Sequence, residues 1–255
     1  MLNTPKLSIV GAGPGDPDLI TLKAIKVLQS ADVVLYDALV NPCLLDYAQN
    51  AELIFVGKRK GCYSYQQEQI NELIISRAKS HGHVVRLKGG DPFIFGRGAE
   101  EQDIASAAGL EVELVPGLSS ALAVPAYQNI PLTKRGSSES FWVITGTTKG
   151  HTLSEDVKLA AQSSATVVIL MGMSKLGEIT LLFAKHKKQN TPVAIIQNGT
   201  TSEERVGIGI IANIETVVEE LQLSNPAVIV IGEVVRHREQ MINLKMELAN
   251  TYAHV

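Results

Sequence analysis

Residues 83–98 read HVVRLKGGDPFIFGRG and combine a strand-like run with a glycine-rich turn. The run ends in two adjacent glycines and a carboxylate, Asp91. In an open α/β sheet, ligands bind outside the carboxyl ends of the strands, and paired glycines there let the backbone approach a ligand closely. Arg86, Lys88 and Arg97 surround this acid in the sequence. The stretch therefore predicts a polar ligand site at a strand end.

Strand-like runs alternate with helical stretches on both sides of this turn. About five strands occur up to residue 115, joined by helices or long crossovers, which is typical of a parallel sheet with helices on its faces. The segment GSSES at 136–140 predicts a linker or exposed turn, and a second α/β series follows it. We therefore predict an α/β protein of two domains, 1–136 and 137–255, with a ligand cleft between them.

The composition limits the class of function. The 255 residues are 45% hydrophobic but only 5% aromatic, which favours an aliphatic sheet interior, and the net charge of −3 argues against a general nucleic-acid binder. Cysteines and histidines show no metal-ligand spacing, so we expect no metal. No apolar run approaches a membrane span and no signal peptide is evident. We expect a cytoplasmic protein that binds neither membranes nor nucleic acid.

The first turn, GAGPGDP at 11–17, begins like a dinucleotide-binding fingerprint. Its spacing fails, because Asp16 stands where the third glycine belongs. Pro14 removes a backbone donor that a phosphate would need, and the carboxylate would repel a pyrophosphate. A nicotinamide-dependent oxidoreductase is therefore a disfavoured alternative.

Charged residues follow two further predicted strands. Asp37 could cap a helix, hold a ribose, or act as a general base facing the cleft. The cations at 58–60 could be a solvated loop, or could join other basic residues in a rim for a substrate with several carboxylates. The predicted substrate-binding cations are Arg59, Arg97, Lys134 and Arg135.

Several uncharged residues also stand at predicted strand ends. Ser119 and Ser120 could cap the helix that they open or bind a ligand, and capping is the more common role. Met171 could fill the core, or pack against an adenine or an alkyl sulfonium. Gly199 lies in a third such turn, NGT at 198–200.

Together the motifs follow the order found in a known family. The set comprises VGAGPGDP at 10–17, Tyr36-Asp37, Gly57-Lys58-Arg59, residues 87–98, Pro116-Gly117 and IPLT at 130–133. Over roughly residues 5–240 the chain resembles the tetrapyrrole (precorrin) methyltransferases. This resemblance implies a two-domain enzyme, usually a homodimer, with S-adenosylmethionine bound between the domains and released as S-adenosylhomocysteine.

The resemblance also implies roles for single residues. It places a proton acceptor at Asp37 and a proton donor at Lys58. It places contacts to S-adenosylmethionine at Pro14, Gly89, Gly90, Asp91, Ile94, Ser119, Ser120, Met171 and Gly199.

Within the family, the motifs resemble those of members that methylate uroporphyrinogen III at C2 and C7 to precorrin-2, on the route to sirohaem and cobalamin. The chain resembles the stand-alone form of the enzyme. It departs from the family pattern near Tyr63, Lys134 and Thr147, where histidine is usual, and at Gln128-Asn129, where a small residue and glycine are common. A methyltransferase for another ring carbon and a non-catalytic tetrapyrrole carrier are the remaining alternatives.

Overall fold

A computed structural model of the chain describes residues 4–57 and 65–252. The chain divides into two compact units, Met1–Ser120 and Ala121–Val255. This division falls before the predicted boundary at 136/137. The reason is that Val124 and Ile130 pack into one apolar cluster with strand residues of the second unit such as Val168.

The first unit contains a five-stranded parallel sheet, which confirms the expected architecture. Its strands are β1 (Lys6–Gly11), β2 (Val33–Tyr36), β3 (Glu52–Phe55), β4 (His83–Lys88) and β5 (Glu111–Val115), in the order β3-β2-β4-β1-β5. Its helices are α1 (Leu22–Gln29), α2 (Gln67–His81) and α3 (Gly98–Ala107), and α4 (Ser120–Tyr127) begins at its last residue.

Both faces of this sheet are covered by helices and contribute to the core, because side chains alternate between the two faces along each strand. On one face Val85 and Leu87 of β4 pack with Leu28 of α1. On the other face Val84 packs with Ile74 of α2. Such two-sided burial explains why the strands read as nearly continuous aliphatic runs.

The order of the strands creates a switch point at β1 and β4. The chain leaves β1 towards β2 and leaves β4 towards β5, and these two connections run in opposite directions along the sheet. Ligands bind outside the carboxyl ends of strands at such a point. The loops after β1 and β4 are in contact there: Gly13 N–H donates to Gly90 O at 3.2 Å, and Gly90 N–H donates to Gly13 O at 2.7 Å.

The second unit contains a mixed five-stranded sheet. Its strands are β6 (Phe141–Thr145), β7 (Thr166–Leu170), β8 (Pro192–Gln197), β9 (Arg205–Ile210) and β10 (Ala227–Ile231), in the order β6-β7-β10-β8-β9. β6 and β7 are parallel, whereas β10 is antiparallel to β7 and β8. The carboxyl ends of β6, β7 and β8 therefore share one edge. The helices are α5 (Asp156–Ala160), α6 (Leu176–Lys185), α7 (Ile214–Glu220) and α8 (Arg236–Tyr252).

The segment at 136–140 is a hydrogen-bonded turn at the amino end of β6. Ser138 N–H donates to Lys134 O, and Lys134 N–H donates to Ser138 O, both at 2.9 Å. The Ser138 side chain is buried, and its Oγ accepts the Thr166 hydroxyl at 2.9 Å. The segment is therefore fixed to β7 rather than acting as a free linker. None of the helices within the described ranges is long and apolar enough to cross a membrane.

Candidate active site

Three glycines bring the loops after β1, β4 and β5 into direct backbone contact. A Cβ added to Gly117 would lie 2.3 Å from Gly90 O and 2.7 Å from Gly11 Cα. A Cβ on Gly11 would lie 2.5 Å from Gly117 Cα. No side chain fits at these two positions, so their glycines are required by the close approach of three loops at the switch point.

Asp91 joins two of these loops. Its Oδ1 accepts the Phe93 N–H at 2.8 Å, and its Oδ2 accepts the Gly117 N–H at 3.0 Å. Gly90, just before it, has φ of +69°, a conformation that glycine adopts without strain. The turn at Gly89 and Gly90 thus carries a partly buried carboxylate, Asp91, and the contacts of these three residues with a cofactor stay a prediction.

The loop after Asp91 presents apolar side chains to solvent. Phe93, Ile94 and Phe95 are each more than 40% exposed, which is unusual for large apolar residues in one short segment. Arg97 ends this loop in a left-handed conformation, with φ of +58°. Its Nη2 lies 2.5 Å from Glu100, and the hydrogen bond to that carboxylate raises the pKa of Arg97.

Ser119 and Ser120 lie at the start of α4, next to the same loops. Ser120 begins the helix, and its backbone nitrogen is 3.8 Å from the position that a Cβ on Gly90 would occupy. Ser119 is buried. Pro14 follows Gly13 in the first turn, whose backbone is paired with Gly90. The predicted cofactor contacts of the first unit therefore cluster at one sheet edge.

Asp37 follows β2 and is held in a tight turn. Its Oδ1 accepts the Leu39 N–H at 3.0 Å, and its Oδ2 lies 3.7 Å from Arg86 Nη2. The side chain keeps 25% of its surface exposed, so it remains accessible to a substrate. Gly57 lies against this turn, because a Cβ there would be 2.5 Å from Ala38 N. The predicted donor Lys58 and the predicted substrate contact Arg59 lie outside the described residues.

The positions of Arg86 and Lys88 in the sequence lead one to expect both beside Asp91. The structure places them elsewhere. Both side chains point to the α2 and α3 face of β4, where they pair with Glu101 at 3.1 Å and 3.0 Å. All three side chains are at most 6% exposed. Burial, followed by the nearby Arg86 charge, lowers the pKa of Lys88, while the Glu101 carboxylate opposes that shift.

In the second unit, Met171 and Gly199 lie at the shared carboxyl-end edge. Met171 follows β7, is 49% exposed, and has φ of +55°. Thr147 steadies this turn, since its hydroxyl donates to Met171 O at 2.9 Å. Gly199 follows β8 and packs against α4, because a Cβ there would lie 2.4 Å from Val124 Cγ1.

Lys134 lies at the opposite edge of the second sheet. It pairs with Ser138 at the amino end of β6, whereas Met171 follows the carboxyl end of β7. A strand of that length spans roughly 13 Å. Lys134 Nζ lies 3.2 Å from His237 Nδ1, and Arg135 beside it is exposed. The structure therefore separates these two cations from the predicted cofactor contacts of their own unit, and their role in substrate binding stays a prediction.

Two departures from the family pattern have structural explanations. Asn129 has φ of +56°, a conformation that favours glycine and that asparagine tolerates better than most residues. Gln128 donates to Glu204 Oε1 and accepts the Arg238 Nε–H at 3.1 Å. Glu204 in turn accepts the Thr200 N–H at 2.8 Å. Gln128 thus links α8 to the turn that contains Gly199.

The family model described as Tetrapyrrole (Corrin/Porphyrin) Methylases matches residues 6–215. The chain belongs to this family.

Similar proteins include curated enzymes and solved structures. The chain is 46% identical to a uroporphyrinogen-III C-methyltransferase of Methanocaldococcus jannaschii, over 91% of this chain and 97% of that protein. It is 45% identical to a siroheme synthase of Gluconobacter oxydans, over 90% of this chain and 49% of that longer protein. A crystal structure of uroporphyrin-III C-methyl transferase from Thermus thermophilus complexed with S-adenyl homocysteine is 36% identical, with a TM-score of 0.79 over 91% of this chain and 99% of that one.

Sequence reasoning missed Glu101. A signal was available, because Arg86 and Lys88 are two residues apart on a buried strand and must point to the same face. Two buried cations on one face require an anion, and the next helix opens with two glutamates, Glu100 and Glu101. The sequence alone does not say which of these two is buried.

Proposed function

We propose that this tetrapyrrole methylase transfers methyl groups from S-adenosylmethionine to C2 and C7 of uroporphyrinogen III, giving precorrin-2 and S-adenosylhomocysteine. The product serves sirohaem and cobalamin synthesis. The observation that carries this function is the 46% identity, over 91% of this chain, to a protein named uroporphyrinogen-III C-methyltransferase. The geometry of the first unit agrees with it, because its polar groups and glycine turns meet at the strand switch point.

The residues at this point fit S-adenosylmethionine. The Asp91 carboxylate provides the negative charge that suits a cationic ligand, and its bonds to Phe93 and Gly117 fix its position. Gly89 and Gly90 leave main-chain groups open to close approach. Exposed Ile94 offers an apolar surface, and Ser119 and Ser120 offer hydroxyls at the start of α4. Pro14 is the remaining proposed contact of the first unit, and Met171 and Gly199 are the proposed contacts of the second unit.

Methyl transfer makes modest demands on acids and bases. S-Adenosylmethionine supplies an electrophilic methyl group on a sulfonium. An electron-rich pyrrole carbon is a competent nucleophile, so the main contribution of the protein is to hold the two reactants in line and exclude water.

Asp37 acts as the acceptor of the proton that the macrocycle loses as its bonds rearrange. Its Oδ1 is engaged with the Leu39 amide, so the acceptor atom is Oδ2, which faces Arg86. Lys58 acts as the proton donor. Arg59 and Arg97 bind substrate carboxylates, and Lys134 and Arg135 are the weaker candidates for the same role.

The protein works as a homodimer in the cytoplasm. The homodimer rests on the family resemblance and the cytoplasmic location on the expectation from the sequence. Light scattering on the purified chain tests the homodimer.

Product identification tests the whole proposal. Purified protein is incubated anaerobically with uroporphyrinogen III and methyl-labelled S-adenosylmethionine, and the product is analysed by mass spectrometry and NMR. We expect two labelled methyl groups, at C2 and C7, and two S-adenosylhomocysteine molecules per macrocycle. Label at a different ring carbon would indicate another methylase of the family. Tetrapyrrole binding without any label transfer would indicate a carrier.

A further inference from the structure

A buried group of charged side chains is in contact with Asp37 through Arg86. Arg86 and Lys88 on β4 and Glu101 on α3 form this group under α2 and α3, with Gln67 of α2 donating to Glu101 Oε1 at 3.1 Å. The Glu101 side chain is fully buried. Burying three charges costs desolvation free energy, and in proteins generally the replacement of a buried ion-pair group by apolar residues of similar volume is often neutral or stabilising. The group therefore calls for an explanation other than stability.

The three nitrogens of the Arg86 guanidinium contact different partners. Nε donates to Glu101 Oε1 at 3.1 Å, and Nη1 donates to Leu87 O at 3.0 Å and Leu35 O at 3.4 Å. Nη2 is left to face Asp37 Oδ2 at 3.7 Å. Because the guanidinium is planar and rigid, these contacts fix the position of Nη2.

Asp37 completes the charge balance of the group. Arg86 and Lys88 carry two positive charges, and Glu101 supplies one negative charge within 3.1 Å of both. The second negative charge is that of Asp37. Its Oδ1 accepts the Leu39 N–H, and its Oδ2 forms an ion pair with Arg86 Nη2 at 3.7 Å, a separation that leaves Oδ2 able to accept a proton.

We propose that Arg86, anchored by Glu101, is a positioning residue that holds the Asp37 carboxylate in the orientation needed to accept the substrate proton. This inference rests on the proposed function, because it assigns the buried group to that reaction. Glu101 touches no reacting atom and acts through Arg86. Lys88 carries the second positive charge of the group and shares the Glu101 carboxylate with Arg86.

A double-mutant cycle tests this role. Arg86→Lys keeps the positive charge but loses the planar set of donors, and Asp37→Asn keeps the Leu39 turn bond but removes the acceptor charge. We expect Arg86→Lys to lower kcat about 10- to 100-fold, with the KM for uroporphyrinogen III and the affinity for S-adenosylhomocysteine changed less than about threefold. In the Asp37→Asn background, Arg86→Lys should lower kcat no further, because the residue that it positions is already inactive.

Glu101→Gln provides a second route, since it removes the negative charge that anchors Arg86 without altering Arg86 or Asp37. It should reproduce the effect of Arg86→Lys on kcat in both backgrounds. The matched control is Arg77→Lys, which alters another arginine–carboxylate pair of the first unit, at 3.1 Å from Glu52. That variant should retain wild-type kcat.

The outcomes separate the two proposals. An equal loss of kcat from Arg86→Lys in the wild-type and Asp37→Asn backgrounds would show a structural role and overturn the positioning role. A normal kcat for both Arg86→Lys and Glu101→Gln would overturn it as well. If Asp37→Asn alone retains full kcat, the acceptor assignment of the proposed function fails, and the positioning role fails with it. If the wild-type chain transfers no methyl group, the proposed function itself fails.

Discussion

Asp91 Oδ2 accepts the Gly117 N–H at 3.0 Å and so ties the loop after β4 to the loop after β5. The same carboxylate holds the Phe93 amide through Oδ1 at 2.8 Å. One side chain thus fixes two strand-end loops at the switch point of the sheet. Because both hydrogen bonds are accepted by the Asp91 carboxylate, a substitution of Asp91 tests this connection between the loops.

We expect Asp91→Ala to weaken S-adenosylhomocysteine binding at least tenfold and to lower stability by about 1–3 kcal/mol, because two amides lose their acceptor. Asp91→Asn retains one acceptor oxygen and should show a smaller loss of stability. Isothermal titration calorimetry and urea unfolding measure the two effects. Unchanged affinity in Asp91→Ala would contradict the assignment of Asp91 to the cofactor site.

Gly117→Ala tests the close approach of the three loops. The new methyl group would lie 2.3 Å from Gly90 O. Because this clash is with a backbone atom, the main chain must move to relieve it, which costs stability. We expect a loss of about 3 kcal/mol or more, seen in urea unfolding. Gly109→Ala is the matched control: its φ is +80° but nothing lies within 4 Å of the new Cβ, so backbone strain alone should cost roughly 1–2 kcal/mol.

Gly199→Ala should reduce cofactor affinity through a steric clash with α4. The added methyl group would lie 2.4 Å from Val124 Cγ1, which must push the turn at 198–200 out of place. Removing the obstacle with Val124→Ala should restore most of the affinity in the double variant. Calorimetry with S-adenosylhomocysteine gives the comparison, and a double variant as weak as Gly199→Ala would contradict this explanation.

Replacement of Asp37 should reduce turnover far more than cofactor binding. Asp37→Ala removes both the turn acceptor and the charge, whereas Asp37→Asn removes only the charge. If proton acceptance is the role of Asp37, both variants should lose about 100-fold in kcat, as is usual for the loss of a general base. If the residue only supports its turn, Asp37→Asn should be nearly as active as the wild type.

Glu113 should contribute stability that disappears in acid. Hydrogen bonds from Lys23 and then Lys6, at 2.7 Å and 2.8 Å, lower the pKa of Glu113 to about 2. A carboxyl whose pKa is lower in the folded state stabilises the fold above its unfolded pKa, near 4.5, and loses that contribution as the pH falls towards 2. Glu113→Gln should therefore cost up to about 1 kcal/mol at pH 7.

The pH dependence is measured by urea unfolding of Glu113→Gln and wild type between pH 7 and pH 2. The difference in unfolding free energy should narrow below pH 4.5. Glu155→Gln serves as the control, because Glu155 is 82% exposed and its pair with Lys158 lies within one turn of chain. A difference for Glu113→Gln that stays constant down to pH 2 would contradict the prediction.

The parallel sheet of the first unit was predictable from the sequence, because local rules govern it. Aliphatic runs separated by helical stretches specify strands that are buried on both faces. Glycines after β1 and β4, with Asp91 beside them, mark a ligand site at a sheet edge. The ordered motifs then indicate the family, and the family model confirms it.

The tertiary structure decided which charged side chains lie beside the glycine turn and which are buried under α2 and α3. Arg86 and Lys88 stand next to the glycine turn in sequence, but strand alternation sends both to the buried face, where Glu101 meets them. Lys134 looks like part of a basic rim, yet the register of β6 and β7 places it at the edge opposite Met171. The sequence by itself determined which charged residues stand near the ends of the predicted strands. Their partners depend on which helix covers which face and which strands pair, and these are long-range contacts that local patterns do not encode.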